Sequence, residues 1–106
     1  MARRLVWSPE AVEDLESIAS YISRDSAHYA RSVVSRIVAA AESIPDNPHL
    51  GREVPELHSP VFRERFVHKF RVIYRVDADR VLVVAIIHGS RLLEALLQPN
   101  ADGDRT

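Results

Sequence analysis

Periodicity splits this chain into a helical half and a strand half, which predicts an α+β domain. From Pro9 to Ile44 apolar residues recur at spacings of three and four; from Phe62 to His88 they alternate or run in β-branched stretches. Between the halves, residues 45–60 hold four of the six prolines and Gly51, which predicts an irregular connection. A chain of 106 residues is one domain, able to bury roughly two-thirds of its unfolded surface. Residues 1–98 are expected to form it, and 99–106, beginning at Pro99, to be a disordered tail.

Arg3 to Trp7 reads as a short strand stopped by Ser8-Pro9. Ser8 is a good N-cap, and Pro9 suits the first helical position, where a missing N–H costs nothing. Ala11, Val12, Leu15, Ile18, Ala19 and Ile22 then make one apolar stripe, predicting a helix over about Pro9 to Ser23. Asp25 or Ser26 can cap a second helix with the stripe Ala30, Val33, Val34, Ile37, Ala41 and Ile44, ended by Pro45. The two form an αα-hairpin. Trp7 and Tyr21 read as packing residues, and the acidic positions Glu10, Glu13, Asp14 and Glu16 as a solvated face. Leu92 to Leu97 predicts a short C-terminal helix.

The strands form a three-stranded antiparallel meander. Phe66 is expected to pair with Phe70 across a three-residue loop, Val67-His68-Lys69, and Val76 with Val81 across the second turn. Carried along the ladder, this register puts Phe62, Phe66, Phe70, Val72, Tyr74, Val76, Val81, Val83, Ala85 and Ile87 under the helices. The outer face then holds Arg63, Arg65, Arg71, Ile73, Arg75, Leu82, Val84, Ile86 and His88, an apolar strip within arginines. Such a strip marks a covered or interacting surface, its cover being Leu92–Leu97, a partner, or each in turn. Glu64 points inward or edgewise in this register, leaving no carboxylate beside Arg71.

Charge and composition narrow the function. Net charge is −1, Lys69 is the sole lysine, and cysteine is absent, so thiolate chemistry is excluded and a reducing compartment is suited. The basic N-terminus is followed by too few apolar residues for a signal peptide, and the longest aliphatic run, Val81 to Ile87, cannot span a bilayer. A cytoplasmic protein without a membrane partner is expected. His28, His49, His58 and His68 lack metal-ligand spacing, so neither metal nor cofactor is expected. His88 also reads as a strand-end histidine satisfied by a backbone carbonyl, and Gly89 as a backbone device.

Several segments together resemble the RelE/ParE superfamily of bacterial type II toxins, on its ParE-like branch. They are Trp7-Ser8-Pro9-Glu10-Ala11 leading into Asp14-Leu15 and Tyr21-Ile22, Pro48-His49-Leu50-Gly51-Arg52, Phe70 to Val76, and Ile86 to Arg91. The resemblance implies a growth-inhibiting toxin of a plasmid-stabilisation type, neutralised by a cognate antitoxin seated on the outer face. The target or antitoxin contacts would then be Arg63, Arg65, Arg71, Ile73, Arg75, Leu82, Val84, Ile86, His88 and Arg91. It implies one of two activities: inhibition of DNA gyrase by protein binding, or ribosome-dependent cleavage of mRNA using Arg71, His88 and Arg65. The near-neutral charge, the single lysine and the lack of a tyrosine after His88 favour gyrase. A third possibility is an inactive toxin-fold protein that only binds its antitoxin.

Overall fold

The chain runs β1 (Arg4–Trp7), α1 (Pro9–Ser23), α2 (Ala27–Ser43), two 3-10 turns (Ile44–Asp46 and Pro48–Leu50), β2 (Arg52–Glu53), β3 (Phe62–Val67), β4 (Phe70–Val76) and β5 (Arg80–His88). These elements come from a computed structural model that describes residues 3–89. The expected helix over 92–97 and the tail from 99 lie outside those residues. One mixed sheet, ordered β1-β5-β4-β3-β2, packs against the helical pair. The meander is antiparallel as expected, and β1 joins it parallel to β5, with Leu5 opposite Val81 and Trp7 opposite Val83.

Both helix starts follow from their caps. Ser8 Oγ accepts the Ala11 N–H at 3.0 Å and Pro9 opens the helix. Of the two candidate caps for α2 it is Ser26 that serves, its Oγ accepting the Tyr29 N–H at 3.0 Å. Ala11, Val33, Ile37 and Ala41 press onto Val72, Tyr74, Val76, Val81, Val83 and Ile86 of the sheet. Each fully buried aliphatic side chain contributes about 1.5–3 kcal/mol relative to exposure. The connection is more ordered than its prolines suggest. Tyr74 donates its hydroxyl to the Pro48 carbonyl at 2.7 Å, and Gly51 lies so close to that hydroxyl that a Cβ would stand 2.3 Å from it.

Two details of the sheet depart from the expected register. The β3–β4 hairpin turns on two residues, His68 and Lys69, so Val67, not Phe66, faces Phe70. His68 takes the left-handed conformation (φ 57°) that such a tight reversal needs. One residue fewer in the loop inverts every β3 assignment. Arg63 and Arg65 therefore sit on the helix side, opposite Tyr74 and Val72, while Phe62, Glu64 and Phe66 take the outer side, opposite Arg75, Ile73 and Arg71.

In β5 the pairing of Val76 with Val81 is as expected, but it carries only to Tyr74 opposite Val83. Ile73 then faces Ala85, so β5 holds one extra residue, a β-bulge at Val84. Beyond it the faces exchange: Ile86 is buried beneath the helices and Ile87 in the outer cluster, the reverse of strict alternation. The outer face is covered on its own side. Val54 and Leu57, from the connection, lie with Phe62 over Ile73, Val84, Ala85 and Ile87.

Candidate functional site

The ten residues expected on one outer surface are divided by these two shifts. Arg71, Ile73, Arg75, Leu82 and Val84 occupy the outer side. Arg63, Arg65, Ile86 and His88 occupy the helix side, and Arg91 lies outside the described residues. Arg63 donates to the Gly51 carbonyl and Arg65 to Ser43 Oγ at the end of α2. Arg65, Arg71 and His88, expected on one face, are therefore not brought together. Arg65 faces Val72 rather than Arg71, and only Lys69 and His88 stay close, on the helix side.

Two constellations take its place. On the outer face Arg71, only 4% exposed, lies between two carboxylates. Nη1 and Nη2 each donate to Glu56 at 2.9 Å in a bidentate pair, and Nε donates to Glu64 at 2.7 Å. Glu64, 1% exposed, also accepts from Arg52 Nε. Pairing with Glu56, reinforced by Glu64 and opposed by burial, raises the guanidinium pKa further above its ordinary range. The reading that no carboxylate stands beside Arg71 is thus reversed, because the shorter turn brings Glu64 round to the arginine's face. At the sheet's other end Asp77 accepts from Arg75 and Arg80 at 2.8–3.0 Å, which holds its carboxyl down at about 2.

The second constellation is a groove of about 540 Å³ between α1 and the His68-Lys69 end of the sheet. Ile18, Ile22, Phe70 and Ile86 line it with Asp14, Lys69 and His88. Tyr29 at its rim shares a hydrogen bond with His68 Nε2, and Phe70 stands edge-on to His88 with centroids 5.7 Å apart. Asp14 accepts the Ile86 N–H at 2.9 Å, so this acidic position on α1 caps an edge of the sheet instead of lying in a purely solvated row. Tyr21 is 71% exposed beside Arg24 and the groove, not packed inside as expected. Asp14, Tyr29 and His68 gave no signal in sequence, since their contacts depend on where α1 meets β5 and where α2 meets the β3–β4 turn. Among the described residues no group of three or more His, Asp or Glu side chains could hold a metal ion. No helix among them is long and apolar enough to cross a membrane.

Residues 5–93 match the sequence model of a family described as "ParE toxin of type II toxin-antitoxin system, parDE". The chain belongs to the ParE toxin family. The ParE-family chain is also 34% identical over 90 residues to Toxin RelE2 of Caulobacter vibrioides, covering 84% of this chain and 98% of that one. Its fold is similar to a structure titled "Chromosomal ParDE TA system from P. aeruginosa" (TM-score 0.69, 21% identity, 82% and 96% of the two chains). It is also similar to one from the toxin-antitoxin complex RelBE2 of Mycobacterium tuberculosis (TM-score 0.61, 15% identity, 83% and 99%). This ParE-family protein is therefore a type II toxin-antitoxin toxin of the ParE/RelE superfamily, with the α+β fold of that group.

Proposed function

We propose that this toxin acts by binding DNA gyrase, without cleaving a nucleic acid, and that a cognate antitoxin neutralises it. The observation that carries the reading is the state of Arg71. A phosphate-stabilising arginine needs its guanidinium turned toward the substrate, whereas this one is buried and held by Glu56 and Glu64. The two other candidates for cleavage chemistry, Arg65 and His88, lie on the opposite face of the sheet from it. General acid–base chemistry requires its groups within reach of one scissile bond. Under this reading the contacts with target or antitoxin fall on the part of the outer face left uncovered by Val54 and Leu57, around Arg75 and Leu82. The match to a ParE family supports the choice, as does a net charge of −1.

Ribosome-dependent mRNA cleavage is the second reading, favoured by the name of the Caulobacter relative and by the nearness of Lys69 to His88. Inducing the toxin without an antitoxin separates the two. Gyrase poisoning gives growth arrest with DNA breaks and intact messages, and purified protein inhibits supercoiling. Cuts within codons, abolished by His88→Ala, would instead establish the nuclease. Unimpeded growth would reject both and leave an antitoxin-binding protein only.

A further inference from the structure

Phe66 is an aromatic ring turned into water. Of the three phenylalanines, Phe62 and Phe70 pack against apolar clusters, while Phe66 is 56% exposed. Tyr29, also exposed, bonds its hydroxyl to His68, and a phenylalanine has no such polar tip. The ring is nevertheless held in place. It lies against Gly89, where an added Cβ would come within 3.1 Å of it, and the Arg52 guanidinium stands 5.6 Å from its centroid.

The same spot is an open strand edge. Val54 donates its N–H to the Phe62 carbonyl, so at a spacing of two the Glu64 and Phe66 backbone groups point to that edge as well. Arg52 takes the place opposite Glu64, and β2 reaches no further along β3. Ahead of it Pro48–Leu50 form a 3-10 turn, and the Pro48 carbonyl reaches Tyr74 on the helix side. No residue of β2 stands opposite Phe66, whose N–H and C=O therefore face an uncovered edge.

Charge names the occupant. The Arg52 side chain is 60% exposed, and its one hydrogen bond among the described residues runs from Nε to Glu64. That carboxylate is fully buried and also held by Arg71, so this end of the outer face presents the guanidinium to solvent. Glu53, the next residue of β2, lies opposite Arg63 on the helix side.

We propose that Phe66 and Arg52 form a docking point for an extended acidic segment of a partner protein. The segment continues the sheet along the uncovered part of β3 and exchanges backbone bonds with Phe66. It lays an apolar side chain on the ring and, two residues along on the same face, a carboxylate on Arg52. This point lies at the opposite end of the outer face from Arg75 and Leu82, and holds whichever target those residues meet.

A peptide with blocked ends, Glu-Ser-Val-Ser-Glu, serves as the probe, because its glutamates and valine share one face of a strand. Titrated at millimolar concentration into the isotope-labelled full chain, it is expected to give saturable amide shifts centred on residues 52 and 64–67. The peptide Lys-Ser-Val-Ser-Lys is expected to give none, and Phe66→Ala to weaken binding of the acidic peptide about tenfold. Phe66 is exposed, so that variant is expected to keep the fold. If it does not, the two peptides compared on the unaltered chain decide the matter. Absence of saturation, equal binding of both peptides, or full affinity in a folded Phe66→Ala overturns the proposal. So do shifts centred instead on the groove beside α1 or on the cleft between α1 and α2.

Discussion

Arg71 was the residue most easily mistaken from sequence. In the run Phe-Arg-Val-Ile-Tyr-Arg-Val it reads as a cation on an exposed face, yet its side chain is enclosed by Glu56 and Glu64. Removing one member of a buried ionic cluster strands the rest, which typically costs ~3–5 kcal/mol. Arg71→Ala is therefore expected to lower the unfolding free energy obtained from urea titration by an amount in that range and to deplete soluble protein in cells. Full stability with lost toxicity would show instead that the guanidinium serves a ligand. Glu64 was legible as a residue but not as a partner. Its side depends on whether the preceding loop holds two residues or three, and neither His68 nor Lys69 carries the glycine or asparagine that would announce a left-handed turn. Glu56 was hidden more deeply, since a proline-rich connection carries no periodicity from which to orient it.

The helices were legible and the strand faces were not. Pro9–Ser23 is the predicted span of α1, because a serine cap, a proline at the first position and a clean stripe all agree. Ser8 has a further role, its hydroxyl donating to the Val84 carbonyl at 3.3 Å where β5 bulges. Ser26 shows only the capping bond. Ser8→Ala is therefore expected to cost ~1–2 kcal/mol, and Ser26→Ala less, ~0.5–1 kcal/mol. Thermal melts of the two variants side by side check the order, and equal losses would remove Ser8's second role. In β5 every residue from Val81 to Ile87 is apolar, so alternation holds no information about sidedness and an extra residue leaves no trace. The turn explains why the arginines divide between two sides, and the bulge why Ile86 and His88 join the helix side.

Across the molecule, the β4–β5 turn gathers three strands. Asp77 takes Arg75 and Arg80 on its carboxylate and Arg3 Nε on its carbonyl, while Asp79 receives the Arg4 N–H that starts β1. The carboxyl is lowered from 3.8 to about 2, by Arg75 first and then Arg80. Its folded value lies below its unfolded one, so the stabilisation is complete above the ordinary carboxylate range and fades as pH falls toward 2. Because the side chains are partly solvated, the expected contribution is modest, ~0.2–1 kcal/mol. Urea titrations from about pH 6 to pH 2 should show Asp77→Asn less stable than the parent by this increment at the upper end and converging with it at the acid end; a gap that persists to pH 2 would count against it. The order of the meander and the helical layer followed from element order, but the parallel seat of β1 beside β5 and the short edge strand β2 did not, since two to four residues carry too little pattern to choose a neighbour. The bulge at Val84 has one more consequence. A relative lacking that single residue would show its terminal histidine to the reverse of the molecule, so matched positions in two such toxins need not meet the same binding partner.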